Sequence, residues 1–305
     1  MKQSLTATKV EHFGIARKII ANMTRESWTT IPHAGVTIRP EATKFLAVLD
    51  EINANATKET KVSLNAAVLK VLIECIKACP NMNAHLEFNS KLVRGCVKTI
   101  EEINISLPMV LPNGQMMTVN LHDMNNKSIS EIKAQIQDVV RRAKNSNLDE
   151  VMFEVSLDNT LTGLKQGKVL QTVRRLVGSK TGKHKIKTLH GKEKKEYYSI
   201  PETDRLTKHD IEQGTITISN LGSICKEWHG DCVMLDIIPP QICVIAVGAF
   251  QKEAVVNENN EVVPGVRVPF TLMFDHKATD LGELTPFMNK LNEIFANPEV
   301  IKEWL

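Results

Sequence analysis

An apolar run, Phe270-Thr-Leu-Met-Phe274, breaks at Asp275-His276, and Asp280 follows four residues past the histidine, ahead of Leu281 and Gly282. An imidazole ordinarily titrates close to neutrality. Delivered at a strand end and backed by a carboxylate, it is suited to act as a general base toward a thiol or hydroxyl. Standing alone, a His-x-x-x-Asp spacing reads better as a strand-end histidine hydrogen-bonded to its neighbour. The choice between the two rests on the elements around it.

Those elements are legible as helices and strands in alternation. Ile15, Ile19, Ile20 and Met23 fall at helical spacing and predict a helix over 13–25, broken in the stretch Ser27 to His33 because Pro32 disfavours helix at the residue before it. Val36 to Ile38 reads as a strand and 41–53 as a second helix, with Phe45, Leu46, Leu49 and Ile52 as its stripe. A third helix starts near Ser63, and Pro80 ends it. Strands are predicted over 86–92 and 103–110, with turn chemistry in Pro112-Asn-Gly114. Ser128 followed three residues on by Glu131 is a capping box that opens a helix over 128–144. A helical stripe over 160–178 gives way to a charged segment, 179–195, expected to be a mobile basic loop. Strands are predicted again at Gly214 to Gly222, at 242–250 and at 266–274, the last two joined through the hairpin-like Asn257 to Glu261. A helix over 286–295 closes the pattern.

The chain has 305 residues, 42% hydrophobic and 24% charged, which is ordinary for a soluble globular protein with a large core. No apolar run has the length of a membrane helix, and the first residues lack the apolar centre of a secretory signal. The six cysteines show no disulfide-framework spacing, and most sit among apolar residues. A cytoplasmic location is the expectation. The net charge of +3 conceals an asymmetry: 161–195 holds eleven Lys/Arg against one acid, Glu193, and so carries +10, leaving −7 for the remainder. Cys225-x-x-x-His229-x-x-Cys232 supplies three candidate zinc ligands where a structural site takes four, so no metal is expected.

In order along the chain stand Arg17-Lys-Ile-Ile-Ala-Asn-Met23, Ile31-Pro-His33, Cys79-Pro-Asn-Met-Asn-Ala84, Ile103-Asn-Ile105, Lys127-Ser128, Arg142-Ala143, Gly214-Thr-Ile-Thr-Ile-Ser-Asn-Leu-Gly222, Ile238-Pro-Pro-Gln241 and Asp275-His276 with Asp280. Together these resemble the catalytic domain of the dihydrolipoyl acyltransferases of 2-oxoacid dehydrogenase complexes, whose relative with the same fold is chloramphenicol acetyltransferase. The resemblance implies a two-layer α/β domain with a large mixed sheet packed on helices, assembled as a homotrimer with active sites between subunits, and leaves assembly beyond the trimer open. It implies that His276 is the general base and that Ser219 donates to the oxyanion of the tetrahedral intermediate. Asp280 matches the motif's second carboxylate or its asparagine variant. Arg17 resembles an arginine that pairs with that position, and Asn220 supports the site from within Ser-Asn-Leu-Gly. Coenzyme A, as acyl-CoA, is the implied substrate, with no metal and no lipoyl group on this chain.

Departures from that pattern are as informative. Leu281 follows Asp280 where the family has glycine, and Thr118 stands where it commonly has proline. No lipoyl or subunit-binding domain is recognisable ahead of Phe13, so acyl groups are expected from a separate lipoyl or acyl carrier protein or from coenzyme A. Between the helix near Leu148 and the strand at Gly214 the family uses a short connection; here 154–210 is expected to be a basic insertion within one catalytic domain, 1–305. Its charge suits solvent first, then an anionic partner such as coenzyme A phosphates or an acidic carrier, then an anionic membrane surface over 161–195. Nucleic acid ranks last because aromatic stacking residues are scarce there. Two functions follow as expectations: a coenzyme A-dependent acyltransferase, or a non-catalytic trimeric scaffold that kept the fold and binds partners.

Overall fold

The run that ends at His276 forms a strand buried from end to end, β10 (Phe270–Asp275). A strand can be buried on both faces only at the centre of a covered sheet. In the computed structural model, which describes residues 7–110, 114, 116–165, 173, 177, 188–225 and 227–305, β10 lies between β1 (His33–Ile38) and β7 (Cys243–Val247), antiparallel to both. The sheet continues through β6 (Ile216–Asn220), parallel to β7, then β4 (Ile105–Val110), parallel to β6, and ends at the antiparallel β5 (Met116–Leu121). Its order is β1-β10-β7-β6-β4-β5, six strands of mixed direction.

Alternation assigns the faces. Phe270, Leu272 and Phe274 point into the main core, whereas Met273 joins Ile31, Ile237 and Val244 in a small cluster on the opposite side. There the irregular segment before β7 closes over the sheet: Thr37 donates to Thr271 at 2.9 Å, and Thr271 Oγ1 donates to the Cys232 carbonyl at 2.6 Å. On the main face lie α2 (Thr43–Asn53), α3 (Leu64–Ala78), α4 (Ile129–Ala143) and a helix near the C-terminus, Thr285–Ala296. The sequence fits α3 to be the most deeply buried helix, since its residues 66–73 are all buried, apolar ones apart from Lys70. Lys70 pairs with Glu74 at 2.8 Å, one turn on. Phe45 of α2 stacks on Phe295 at 4.8 Å, and Phe295 meets Phe270 edge-on at 5.6 Å, which locks α2, the C-terminal helix and β10 together.

Several expected boundaries move, each for a local reason. The first helix, α1 (Ile15–Thr30), runs past Arg25. Pro32 forbids helix only at Ile31, and the fully buried Ser27 turns its hydroxyl toward His33 Nε2, 3.2 Å away, inside the last turn. The strand expected over 86–92 is one arm of a hairpin, β2 (Ala84–Asn89) with β3 (Arg94–Thr99); β3 is exposed throughout and carries no hydrophobic alternation to betray it. The segment 242–274 holds four strands, not two. β8 (Gln251–Val256) and β9 (Val262–Arg267) form a separate hairpin around Asn257 to Glu261, interposed between β7 and β10.

The helix expected from Thr160 begins earlier, as α5 (Leu148–Lys165). Apart from 173 and 177, the remainder of 166–187 lies outside the described residues, as does most of the Pro112 to Gly114 turn. The basic stretch 179–195 is not all loop: Gly191–Ser199 is a helix, α6, docked on α5. Tyr198 reaches Glu154 and Glu150, and the carboxylate of Glu150, only 1% exposed, also accepts Leu189 N–H at 3.0 Å and faces Lys194 at 3.3 Å. No helix among the described residues is long and apolar enough to cross a membrane.

Candidate active site

Where β10 ends, the backbone is held on every side of His276. Asp275 N–H donates to the Ile242 carbonyl at 2.8 Å, and His276 N–H donates to the Pro32 carbonyl at 3.1 Å. Asp275, 2% exposed, uses its own carbonyl to accept Ala278 N–H and Thr279 N–H, closing a turn. That turn carries Asp280 back over the imidazole, with Oδ1 3.0 Å from His276 Nδ1. The Asp280 N–H donates to Glu283 Oε2 at 3.0 Å, and Thr279 Oγ1 donates to the same oxygen at 2.8 Å. Those two donors hold the Glu283 carboxyl below its usual range. Both members of the dyad are open to solvent, with His276 55% and Asp280 73% exposed. An Nδ1–H donated to the carboxylate leaves Nε2 as the basic nitrogen.

Ser219 lies elsewhere. It is buried on β6, level with Ala246 of β7 and through it with Thr271 of β10. His276 is five residues past that level and two strands away, roughly 16 Å along the strands and roughly 10 Å across them. Within one chain the serine and the histidine therefore do not meet. Asn220 follows as the cap of the short α7 (Leu221–Ile224), accepting Ser223 N–H at 3.0 Å while its amide donates to Asn65 Oδ1 at 2.9 Å. Gly222 is required for the same corner: a Cβ there would sit 2.5 Å from the Gly248 carbonyl oxygen.

Arg17 departs from the expected role. It is exposed on α1, and among the described residues it makes no ion pair, while the Asp280 carboxylate faces His276. The buried residue of that turn is Ile15, and two residues on is about 200° around a helix, which turns Arg17 to solvent. Leu281, in place of glycine, is 43% exposed beside the dyad. Cys225 is exposed, Cys232 is buried with Sγ 3.4 Å from the Met234 carbonyl, and the described residues contain no three-ligand metal cluster.

Sequence reasoning overlooked Lys277. Its ammonium lies 3.3 Å from Asp275 Oδ2, donates to the Thr30 carbonyl at the end of α1, and stands 5.7 Å from the Phe88 ring centroid on β2. The one available signal was a lysine two residues after an aspartate that ends an apolar strand.

A family model described as 2-oxoacid dehydrogenases acyltransferase (catalytic domain) matches residues 5–156 and 185–302, passing over 157–184 inside the expected insertion. The chain is 24% identical over 285 residues to the dihydrolipoyllysine-residue acetyltransferase component of the pyruvate dehydrogenase complex of Rickettsia prowazekii, covering 92% of this chain and 52% of that protein. It spans about half the length of the curated relatives it matches. The cubic core of a pyruvate dehydrogenase multienzyme complex superposes with a TM-score of 0.67 at 15% identity, covering 99% of this chain and 96% of the other. Azotobacter vinelandii dihydrolipoamide acetyltransferase, in a structure addressing the roles of a serine, a histidine and an asparagine in its mechanism, gives 0.66 at 15% identity with the same coverage. The two structures establish the fold, and the family match takes in both the Ser219 strand and the His276 turn, so the chain belongs to the 2-oxoacid dehydrogenase acyltransferase catalytic-domain family.

Proposed function

We propose that this chain moves an acyl group between coenzyme A and a dihydrolipoyl-type thiol, with His276 as general base. The observation that carries the reading is the Asp280-held imidazole at the end of the buried β10, in a member of an acyltransferase family. His276 Nε2 takes the proton of the acceptor thiol as its sulfur attacks the thioester carbonyl. The carbon–sulfur bond to the acceptor forms, and negative charge collects on the carbonyl oxygen. Collapse breaks the bond to coenzyme A, whose departing sulfur recovers the proton from the imidazolium. A thiol of pKa about 8.5 is mostly protonated at neutral pH, so the base has a modest task in either direction.

Ser219 is the proposed oxyanion donor, and it reaches the reaction only from a second copy of the chain. The Azotobacter vinelandii acetyltransferase structure, which addresses the roles of a serine, a histidine and an asparagine, supports this set of residue types, with aspartate at 280 in place of the amide. A homotrimer, as the resemblance implies, would bring the β6 end of one chain over the exposed dyad of its neighbour, excluding water from the thioester. The kinship with cubic-core structures supports assembly of this kind.

The test is acyl exchange between acetyl-CoA and dihydrolipoamide. The wild-type chain is expected to turn over, and His276→Ala to lose about 10³-fold in kcat. Absence of turnover with a series of acyl-CoAs would instead favour the scaffold reading.

A further inference from the structure

Asp275 is a carboxylate buried to 2% exposure directly before the catalytic histidine, and a charge so placed has to be paired. Its partner is Lys277, directly after the histidine. Asp275 Oδ1 accepts Lys277 N–H at 3.0 Å, and Oδ2 faces the ammonium at 3.3 Å. The same ammonium donates to the Thr30 carbonyl, one of the acceptors that the end of α1 leaves without an intrahelical partner. Phe88 of β2 presents its ring to the cation from a third direction.

One side chain thus ties together the end of α1, the end of β10 and the β2–β3 hairpin, and His276 sits between the two residues of the ion pair. The imidazole itself touches none of these groups. Its orientation is fixed by Asp280 and by the backbone of the turn, and that backbone is what the Asp275–Lys277 pair holds.

We propose that Lys277, with Asp275, is a positioning residue for the His276 base: it locks the 275–279 turn so that Nε2 faces the acceptor thiol. This rests on the acyltransferase reading and names a part of its machinery that the general base and oxyanion donor do not include. A base misplaced by an ångström loses rate far more than substrate affinity, because the bound geometry has to be that of attack.

The experiment measures kcat and KM for acetyl exchange in the full chain, with the ring signals of ¹³C-labelled histidine read in parallel. Lys277→Met is expected to lower kcat about 10- to 100-fold while KM stays within about threefold. It should also split or broaden the His276 ring resonances. Lys277→Arg, which keeps a cation between the same acceptors, is expected to restore both kcat and a single ring signal. If Lys277→Met does not fold, Asp275→Asn combined with Lys277→Met removes the buried charge along with its partner. The double variant should fold, with kcat still reduced about tenfold.

Wild-type kcat and undisturbed ring signals in either methionine variant would overturn the proposal, as would failure of arginine to rescue a folded protein. If the wild type shows no His276-dependent turnover, the acyltransferase reading falls separately, and the ring signals still decide whether Lys277 holds the imidazole.

Discussion

At the scale of single residues, catalysis is assigned to groups whose removal leaves the fold nearly intact. His276 and Asp280 are exposed, so His276→Ala should leave the thermal midpoint within about 2 °C while lowering exchange about 10³-fold; calorimetry and the thiol assay check both halves. Asp280→Asn keeps an oxygen to accept from Nδ1–H and should retain activity to within about tenfold, whereas Asp280→Ala should lose about 10²-fold in kcat. Ser219→Ala should cost about 10²-fold in kcat with little change in KM, as expected of a donor that acts on the oxyanion. The contact between His276 and Asp280 was legible because a spacing of four residues just past a strand end brings both side chains onto one turn. Arg17 was not, since a side chain's direction around a helix depends on which neighbour is buried. Lys277 was not, since its partners Thr30 and Phe88 are remote in sequence and meet only in the folded chain.

At the scale of elements, the clearest local sequence signals hold. Ser128 accepts Glu131 N–H at 3.2 Å while Glu131 accepts Ser128 N–H at 2.8 Å, as the spacing requires, and Ser63 caps α3 through Ala66 N–H at 3.2 Å. Ser128→Ala should therefore cost about 1 kcal/mol in denaturant unfolding. β3 was missed because its side chains meet water, and hydrophobic alternation records only a buried face.

Also invisible in the sequence is the clasp between α4 and the segment returning toward β6, where Arg142 donates twice to Asp210, at 2.6 and 2.7 Å. Burial alone would raise the Asp210 carboxyl, but the Arg142 fork and the Thr207 donors outweigh it and hold its pKa below the usual range. A carboxyl depressed in the folded state contributes stability that is full above its unfolded pKa, about 3.9, and is lost as pH falls through the folded value. Asp210→Asn should thus be less stable at pH 7, by about 1–3 kcal/mol since Arg142 keeps Asp138 as a partner, with the deficit shrinking only below about pH 4; urea titrations across pH 3–7 read this directly. In the core, Phe295→Ala removes the ring that joins α2 to β10 and should cost about 3–5 kcal/mol.

At the scale of the whole molecule, the six-stranded sheet holds Ser219 and His276 apart, so the proposed site, if it uses both, needs a second copy. Ser219 on β6 and His276 past the end of β10 are two strands and five residues of register apart, and no side-chain movement closes that gap. A shared site predicts that chains defective in different residues complete one another. Ser219→Ala and His276→Ala proteins, each reduced to about 1% of wild-type activity or less alone, should recover activity when unfolded together and reassembled as the mixed trimers that the proposed assembly allows. With random assortment around a three-fold ring, about a quarter of the interfaces pair an intact histidine with an intact serine, so recovery should approach about a quarter of wild-type activity. Mixed oligomers that form, as seen by mass spectrometry of differently tagged chains, yet show no activity above either parent would contradict the account.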